Sequence, residues 1–179
     1  MRTAYDTSDV KRLIDELTSR IAHAFKPDQP LNIVGIRTRG ETLARRLTQS
    51  LKSRGYASIG RGVLDITLYR DDLSEVGPMP LVKPTQIDVS IDGAPLLLVD
   101  DVLFTGRSIR AALNALSDFG RPSAIRLVVL IDRGGRELPI QAHFVALTLK
   151  DIPTDHRVNV RLQENDGKDE IIVEPRGAQ

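Results

Sequence analysis

The sequence contains no cysteine. That absence excludes disulfides, thiolate zinc sites and a thiol nucleophile. Aromatic residues make up only 4% of the chain, too few to supply a stacking platform for single-stranded bases. The three histidines, His23, His143 and His156, have no metal-ligand spacing. No apolar run approaches the ~20 residues that a membrane helix requires. Met1 to Asp6 is not followed by an apolar stretch, so no secretory signal is read and a cytoplasmic location is expected. Charge of one sign is also lacking: the formal net charge is +1, low for a chain that binds nucleic acid over its whole surface. Net charge says nothing about distribution, so a local basic patch remains open. Neither G-x-x-x-x-G-K-[ST] nor G-x-G-x-x-G occurs, which excludes a Walker A loop and a dinucleotide fingerprint.

What is present fits one domain over residues 1–179, with enough length to bury a substantial core. Hydrophobic residues at 41% and charged residues at 27% are ordinary for a soluble protein. Val10, Leu13, Ile14, Leu17, Ile21 and Phe25 recur at helical spacing after a Ser8 or Asp9 cap, and Pro27 and Pro30 end that helix. Leu31 to Ile36 reads as a buried strand, Arg37 to Gly40 as a loop and Glu41 to Arg54 as a second helix. A strand is expected from Gly62 to Tyr69, a long polar loop from Arg70 to Lys83 and a short strand from Ile87 to Ile91. The run Leu96 to Val99 is apolar throughout, as in a strand covered on both faces. A helix from about Ser108 to Phe119 follows, then strands at Ala124–Ile131 and Phe144–Leu149. Arg157 to Val173 reads as two strands joined by a hairpin turn at Asp166-Gly167. Strands alternating with helices predict an α/β fold built on a parallel sheet. A loop as long as residues 70–83 is uncommon in a compact domain and is often a lid.

The chemistry concentrates in Leu97-Leu98-Val99-Asp100-Asp101-Val102-Leu103-Phe104-Thr105-Gly106-Arg107-Ser108. An apolar strand leads into two adjacent carboxylates, then a short loop, then a helix. Ligands of open α/β sheets bind at the carboxyl ends of strands, and the free N–H groups of a helix N-terminus suit a phosphate. Gly106 lets the backbone approach closely, and the Thr105 and Ser108 hydroxyls add donors. Two acids beside such a cradle repel a bare phosphate; they make sense if they bind sugar hydroxyls or hold magnesium through water. Two carboxylates abutting a buried strand without a ligand are costly.

This stretch resembles the phosphoribosyl pyrophosphate (PRPP) motif of type I phosphoribosyltransferases. The resemblance implies that fold: a parallel-dominated central sheet flanked by helices, with a small hood and a flexible lid loop. It implies that Asp100 and Asp101 bind the ribose hydroxyls, that Thr105, Gly106, Arg107 and Ser108 bind the 5'-phosphate, and that Val102, Leu103 and Phe104 belong to the same binding segment. Magnesium arrives with PRPP and is assigned no direct protein ligand. Purine-specific relatives commonly carry an acid just before the Thr-Gly; Phe104 in its place points away from purines.

Three further segments agree. Ile36-Arg37-Thr38-Arg39-Gly40 follows a buried strand, and two arginines in a tight loop can grip pyrophosphate through charge-assisted hydrogen bonds; it resembles the family's pyrophosphate loop, with Thr38, Arg39 and Gly40 in contact with substrate. Asp65-Ile66-Thr67-Leu68-Tyr69-Arg70-Asp71-Asp72-Leu73 is similar to a signature of one subfamily, the bifunctional pyrimidine-operon regulators and uracil phosphoribosyltransferases. There Arg70 would reach pyrophosphate as the lid closes. Asp132-Arg133-Gly134-Gly135-Arg136-Glu137-Leu138-Pro139-Ile140 matches the same subfamily's uracil-side loop, and Arg133 would hold the nucleotide. Two departures stand out: Gly135 where the family usually has His, and Lys150-Asp151-Ile152-Pro153-Thr154-Asp155 where it usually reads K-N-[IV]-P-T-S.

The resemblance implies conversion of uracil and PRPP to UMP and pyrophosphate through an oxocarbenium-like transition state, with Arg39, Arg70, Asp100 and Asp101 carrying the chemistry and no side chain required as general base. It also implies UMP-dependent binding to the leader of pyrimidine-operon messenger RNA. Arg12, Glu16, Ser19, Arg20 and His23 share the polar face of the first helix. Such faces are usually just solvated; the resemblance makes Arg12, Ser19, Arg20 and His23 candidates for an RNA surface. A wide basic surface would take a homo-oligomer, a dimer or higher. An alternative from another class stays open, a UMP-sensing RNA-binding regulator with little catalysis, although a sensor of UMP alone has no need of a pyrophosphate grip.

Overall fold

A computed structural model describes residues 2–70 and 83–177. The chain opens with β1 (Arg2–Tyr5) and α1 (Thr7–Ala24), followed by β2 (Leu31–Ile36), α2 (Arg39–Ser53) and β3 (Ile59–Leu64). After a 3-10 turn at Thr67–Tyr69 come β4 (Gln86–Ile87), β5 (Pro95–Leu103), α3 (Arg107–Leu116), β6 (Ala124–Asp132) and β7 (Phe144–Thr148). The last elements are β8 (His156–Arg161), a one-turn α4 (Gln163–Asp166) and β9 (Glu170–Pro175). Six strands form the main sheet in the order β4-β3-β2-β5-β6-β7. All its pairings are parallel except β3 with β4, so the expected α/β architecture is present. A small antiparallel sheet, β1-β9-β8, forms the hood.

The alternation along β5 explains why the sheet is covered on both faces. Leu97 and Val99 join the core beneath α1 and α2, while Leu96 and Leu98 join the core beneath α3. The six-residue β2 is buried throughout, as the central strand of a parallel sheet must be. Val158, Val160 and Ile171 of the hood pack into the first of these cores, which ties the small sheet to the α1 side.

Several boundaries move, each for a physical reason. Asp6, rather than Ser8 or Asp9, caps α1: its carboxylate accepts the Ser8 and Asp9 N–H groups, and Asp9 returns the bond as a capping box. The third strand ends at Leu64 instead of running to Tyr69, because the Asp65 carboxylate captures the N–H groups of Thr67 and Lys83 and turns the chain. The fourth strand is the short Gln86–Ile87, not 87–91. The expected C-terminal hairpin keeps its antiparallel pairing, but α4 replaces the tight turn, with Gly167 in the left-handed region just beyond it. β1 lies in a stretch too short for any periodicity to show. Of the expected lid, residues 71–82 lie outside the described residues. No helix among the described residues is long and apolar enough to cross a membrane.

Candidate active site

The two acids lie within β5, not beyond its end. Pairing of β5 with β2 stops at Gly35–Val99, whereas β6 continues alongside to Leu103–Asp132. The strand is therefore held straight through Asp100 and Asp101 by one neighbour after the other has ended. Asp100 is buried, at 8% exposure. Its Oδ1 accepts the Asp101 N–H at 3.0 Å, and Asp101 Oδ1 accepts the Val102 N–H at 2.9 Å. Burial pushes the Asp100 carboxyl well above its ordinary range, and the neighbouring Asp101 charge pushes further. Burial also raises Asp101, against the opposing pull of a hydrogen bond from Asp100 and of the Arg39 charge. The fold therefore disfavours two full negative charges side by side on this ledge.

Across from this ledge lies the loop between β2 and α2. The Arg37–Thr38 peptide is cis. Gly40 opens α2 against the edge of β5, where a Cβ would fall 2.5 Å from the Val99 carbonyl oxygen, so no other residue lets the helix start so close to the acids. Arg37 donates to Glu41 at 3.2 Å and to the Pro84 carbonyl at 3.0 Å, and its Nε is buried with no partner. Arg39 makes a two-pronged bond to the hood: Nε to Asp166 Oδ2 at 3.1 Å and a terminal nitrogen to Oδ1 at 2.7 Å.

Thr38, Arg39, Asp100, Asp101, Val102 and Ser108 converge on one cavity of about 320 Å³, and Arg70 lines it as well. That volume lies within the range of small-ligand sites. Arg37, Asp65, Ile66, Thr67 and Lys83 complete the wall, so cations face acids across a polar space. Such a space suits a molecule with both hydroxyls and multiple anionic groups. Ser108 stands in the first turn of α3, after Gly106 with a left-handed φ of 92°, so the helix end opens on the same space as the acids.

Other nominated residues are not among those lining this cavity. Gly40 and Leu103 are buried, while Thr105 accepts the Glu137 and Leu138 N–H groups through its carbonyl. Arg107 is exposed and pairs with Glu137 at 2.6 Å. Arg133 does not line the cavity. It is buried, donates to the His156 and Pro153 carbonyls at 3.0 and 3.4 Å, and stacks its guanidinium 3.8 Å from the Phe104 ring centre. Burial lowers its pKa, and the charge of Arg176, which approaches the same ring at 5.3 Å, lowers it further. Phe104 in turn occupies the space a side chain at position 135 would need: a Cβ on Gly135 would lie 2.6 Å from the ring. Gly135 and the Phe104–Arg133 stack are therefore packed against one another.

The α1 candidates do share an exposed face, on which Arg12, Ser19 and Arg20 line one shallow depression with Lys11, Asp15 and Glu16. The face is of mixed sign. Arg12 bonds Asp9 at 3.0 Å and Glu16 at 3.3 Å, Arg20 donates to the Val145 carbonyl, Ser19 accepts from Arg54, and His23 Nδ1 sits 2.7 Å from the Ser19 carbonyl.

Sequence reasoning passed over Asp65 and Asp166. Burial alone would raise Asp65, but bonds from Thr67 and from the Lys83 N–H, with the Arg37 charge, hold it below its ordinary value. A buried acid immediately after a strand was the available signal. Asp166 carried none, since its partner Arg39 lies 127 residues away.

The chain matches the Phosphoribosyl transferase domain family over residues 3–163. It is 48% identical over 168 residues to the Bifunctional protein PyrR of Elusimicrobium minutum (strain Pei191), covering 94% of this chain and 93% of that one. It is 51% identical over 164 residues to the Bifunctional protein PyrR of Roseiflexus sp. (strain RS-1), covering 90% and 88%. Among solved structures, the hypoxanthine phosphoribosyltransferase of Trypanosoma cruzi superposes with a TM-score of 0.72 at 18% identity, covering 98% of this chain and 97% of that one. The HGPRT-ase of Leishmania tarentolae in complex with GMP gives 0.69 at 15% identity, covering 96% and 95%. At such identities these two establish the fold alone.

Proposed function

The chain belongs to the phosphoribosyl transferase family and, within it, to the group of Bifunctional protein PyrR relatives; from that premise we propose that it is a uracil phosphoribosyltransferase, making UMP and pyrophosphate from uracil and PRPP. The observation that carries the proposal is the cavity in which the Thr38–Arg39 loop faces the Asp100–Asp101 ledge and the start of α3. Each part has a distinct task. Thr38, Arg39 and Arg70 hold the pyrophosphate. Asp100 and Asp101 accept hydrogen bonds from the ribose hydroxyls. The backbone from Thr105 to Ser108 takes the 5'-phosphate at the helix end.

As the bond from the ribose anomeric carbon to pyrophosphate breaks, positive charge grows on the sugar and negative charge on the leaving group. The Asp100–Asp101 carboxylates favour the first and Arg39 the second, so catalysis is positioning and charge stabilisation. Uracil nitrogen forms the new bond to the anomeric carbon and gives up its proton to water or the departing pyrophosphate, with no dedicated protein base. Asp100 and Asp101 line the cavity and would receive magnesium arriving with PRPP, through its waters. Bound there, magnesium supplies charge neutralisation for pyrophosphate.

The same chain would act in the cytoplasm as a homo-oligomer that binds a pyrimidine-operon messenger leader when UMP is present. The balanced charge on α1 means that such a surface would have to be assembled from more than this helix. Formation of UMP from uracil, PRPP and magnesium tests the enzyme, with Asp100→Asn/Asp101→Asn and hypoxanthine as controls. UMP made by the native protein and lost in the double variant is expected. A folded native protein that makes no UMP would overturn the proposal, and IMP from hypoxanthine would overturn the role given to Phe104. A gel shift of a leader RNA that strengthens with UMP tests the second activity.

A further inference from the structure

We infer that Asp166 is a positioning residue for the transfer reaction, a hood carboxylate that holds Arg39 in reserve and that pyrophosphate must displace. The inference rests on the proposed reading of Arg39 as the pyrophosphate grip. The two donors that Asp166 occupies, at 3.1 and 2.7 Å, are a fork of the kind that a phosphate would use. The carboxylate is the fixed member of the pair. Its side chain is 18% exposed against 39% for Arg39, and its Oδ2 also accepts the Leu162 N–H at 2.9 Å. The α4 turn that carries it is itself docked: Asn165 accepts from Thr42 at 2.7 Å, and Glu164 pairs with Arg45 and Arg46. Arg39 also feels the Asp101 charge, so it lies between two acids and gives pyrophosphate its full charge only after leaving one of them.

The experiment compares Asp166→Asn, Asp166→Glu, Glu164→Gln and Arg39→Gln for the KM of PRPP, the KM of uracil, kcat and inhibition by pyrophosphate. Asp166→Asn keeps an acceptor for Leu162 and removes the competing charge. Its KM for PRPP and its pyrophosphate inhibition constant are expected to fall about twofold to fivefold, with the KM of uracil unmoved. Asp166→Glu returns toward the native values, and Glu164→Gln, which loosens α4 but keeps the Asp166 charge, lowers the KM of PRPP by less than Asp166→Asn does; an equal fall would overturn the inference. An unchanged or raised KM of PRPP in Asp166→Asn overturns the inference while leaving the pyrophosphate grip intact, provided Arg39→Gln raises it. If Arg39→Gln does not raise it, the reading of Arg39 falls and the inference falls with it. In the unmodified protein, the Arg39 Nε–H resonance should move on adding pyrophosphate; a resonance that stays in place counts against displacement whatever the variants do.

Discussion

Two acid-rich regions of this molecule lie close together and behave in opposite ways. On the α2–hood seam, every acid has a cation. Glu164 is held below its ordinary value chiefly by hydrogen bonds from Arg46, and Asp166, which burial would raise, is brought below it by Arg39. On the β5 ledge, Asp100 and Asp101 have burial and each other, only Asp101 feels the Arg39 charge, and both are raised. The seam is a finished structural element and the ledge an unfinished one. Unsatisfied charge of this kind is stable only because the surrounding sheet over-determines it, and it marks the place where a ligand completes the electrostatics.

The comparison breaks most severely at Arg46, which pairs with Asp169 at 2.8 Å and with Glu164. Arg46→Leu should remove the ion pair of Asp169 and leave Glu164 with Arg45 alone, and cost about 3 kcal/mol in a urea titration, since removing one partner of a sheltered pair leaves the other uncompensated. The ledge should respond in the reverse sense. Asp100→Asn removes a charge that the fold resists, so the ligand-free protein should gain about 1–2 kcal/mol at neutral pH while losing UMP formation.

The pH dependence sharpens the same contrast. Because Asp100 is raised above its ordinary value of 3.8, the folded state keeps a proton that the unfolded chain releases. Its effect is absent below that value, and stability falls as pH rises through the window above it. Glu164 and Asp166 act oppositely, contributing stability above their ordinary values that is lost as pH falls through their lowered ones. Asp100→Asn should therefore flatten the decline on the neutral side and leave the acid limb unchanged, as followed by thermal melting across pH. The smallest structural effect is expected from Gly135→Ala. With φ at 74° and the Phe104 ring 2.6 Å from the new Cβ, it should cost about 1–2 kcal/mol and raise the KM of uracil more than that of PRPP.

The sequence made the ledge legible because its signal is local: an apolar run, two acids and a Thr-Gly-x-Ser turn lie within a dozen residues. α1 was equally readable from its stripe, and only its cap was misplaced, since three further cap-competent residues, Thr7, Ser8 and Asp9, follow Asp6. What escaped depends on partners remote in the chain. The length of β5 past the acids is set by β6, not by its own composition. α4 forms where a turn dipeptide pointed to a hairpin, because Glu164, Asn165 and Asp166 each find a partner on α2 that no nearby residue announces. The Arg133 stack was hidden likewise, since it needs Phe104 on one side and hood carbonyls on the other.

The hood pairing has a consequence for the order of assembly. Arg2 lies opposite Val173, so the sheet that carries Asp166 joins nearly the first residues of the chain to nearly the last. Contacts of such separation close late, because the loop entropy they cost is offset only once the intervening chain is in place. During synthesis the β2–β5 framework with its acids and its arginine loop exists before β9 has left the ribosome. Until the hood closes over the framework, Arg39 stands without its Asp166 partner, so the arginine loop folds with its fork open.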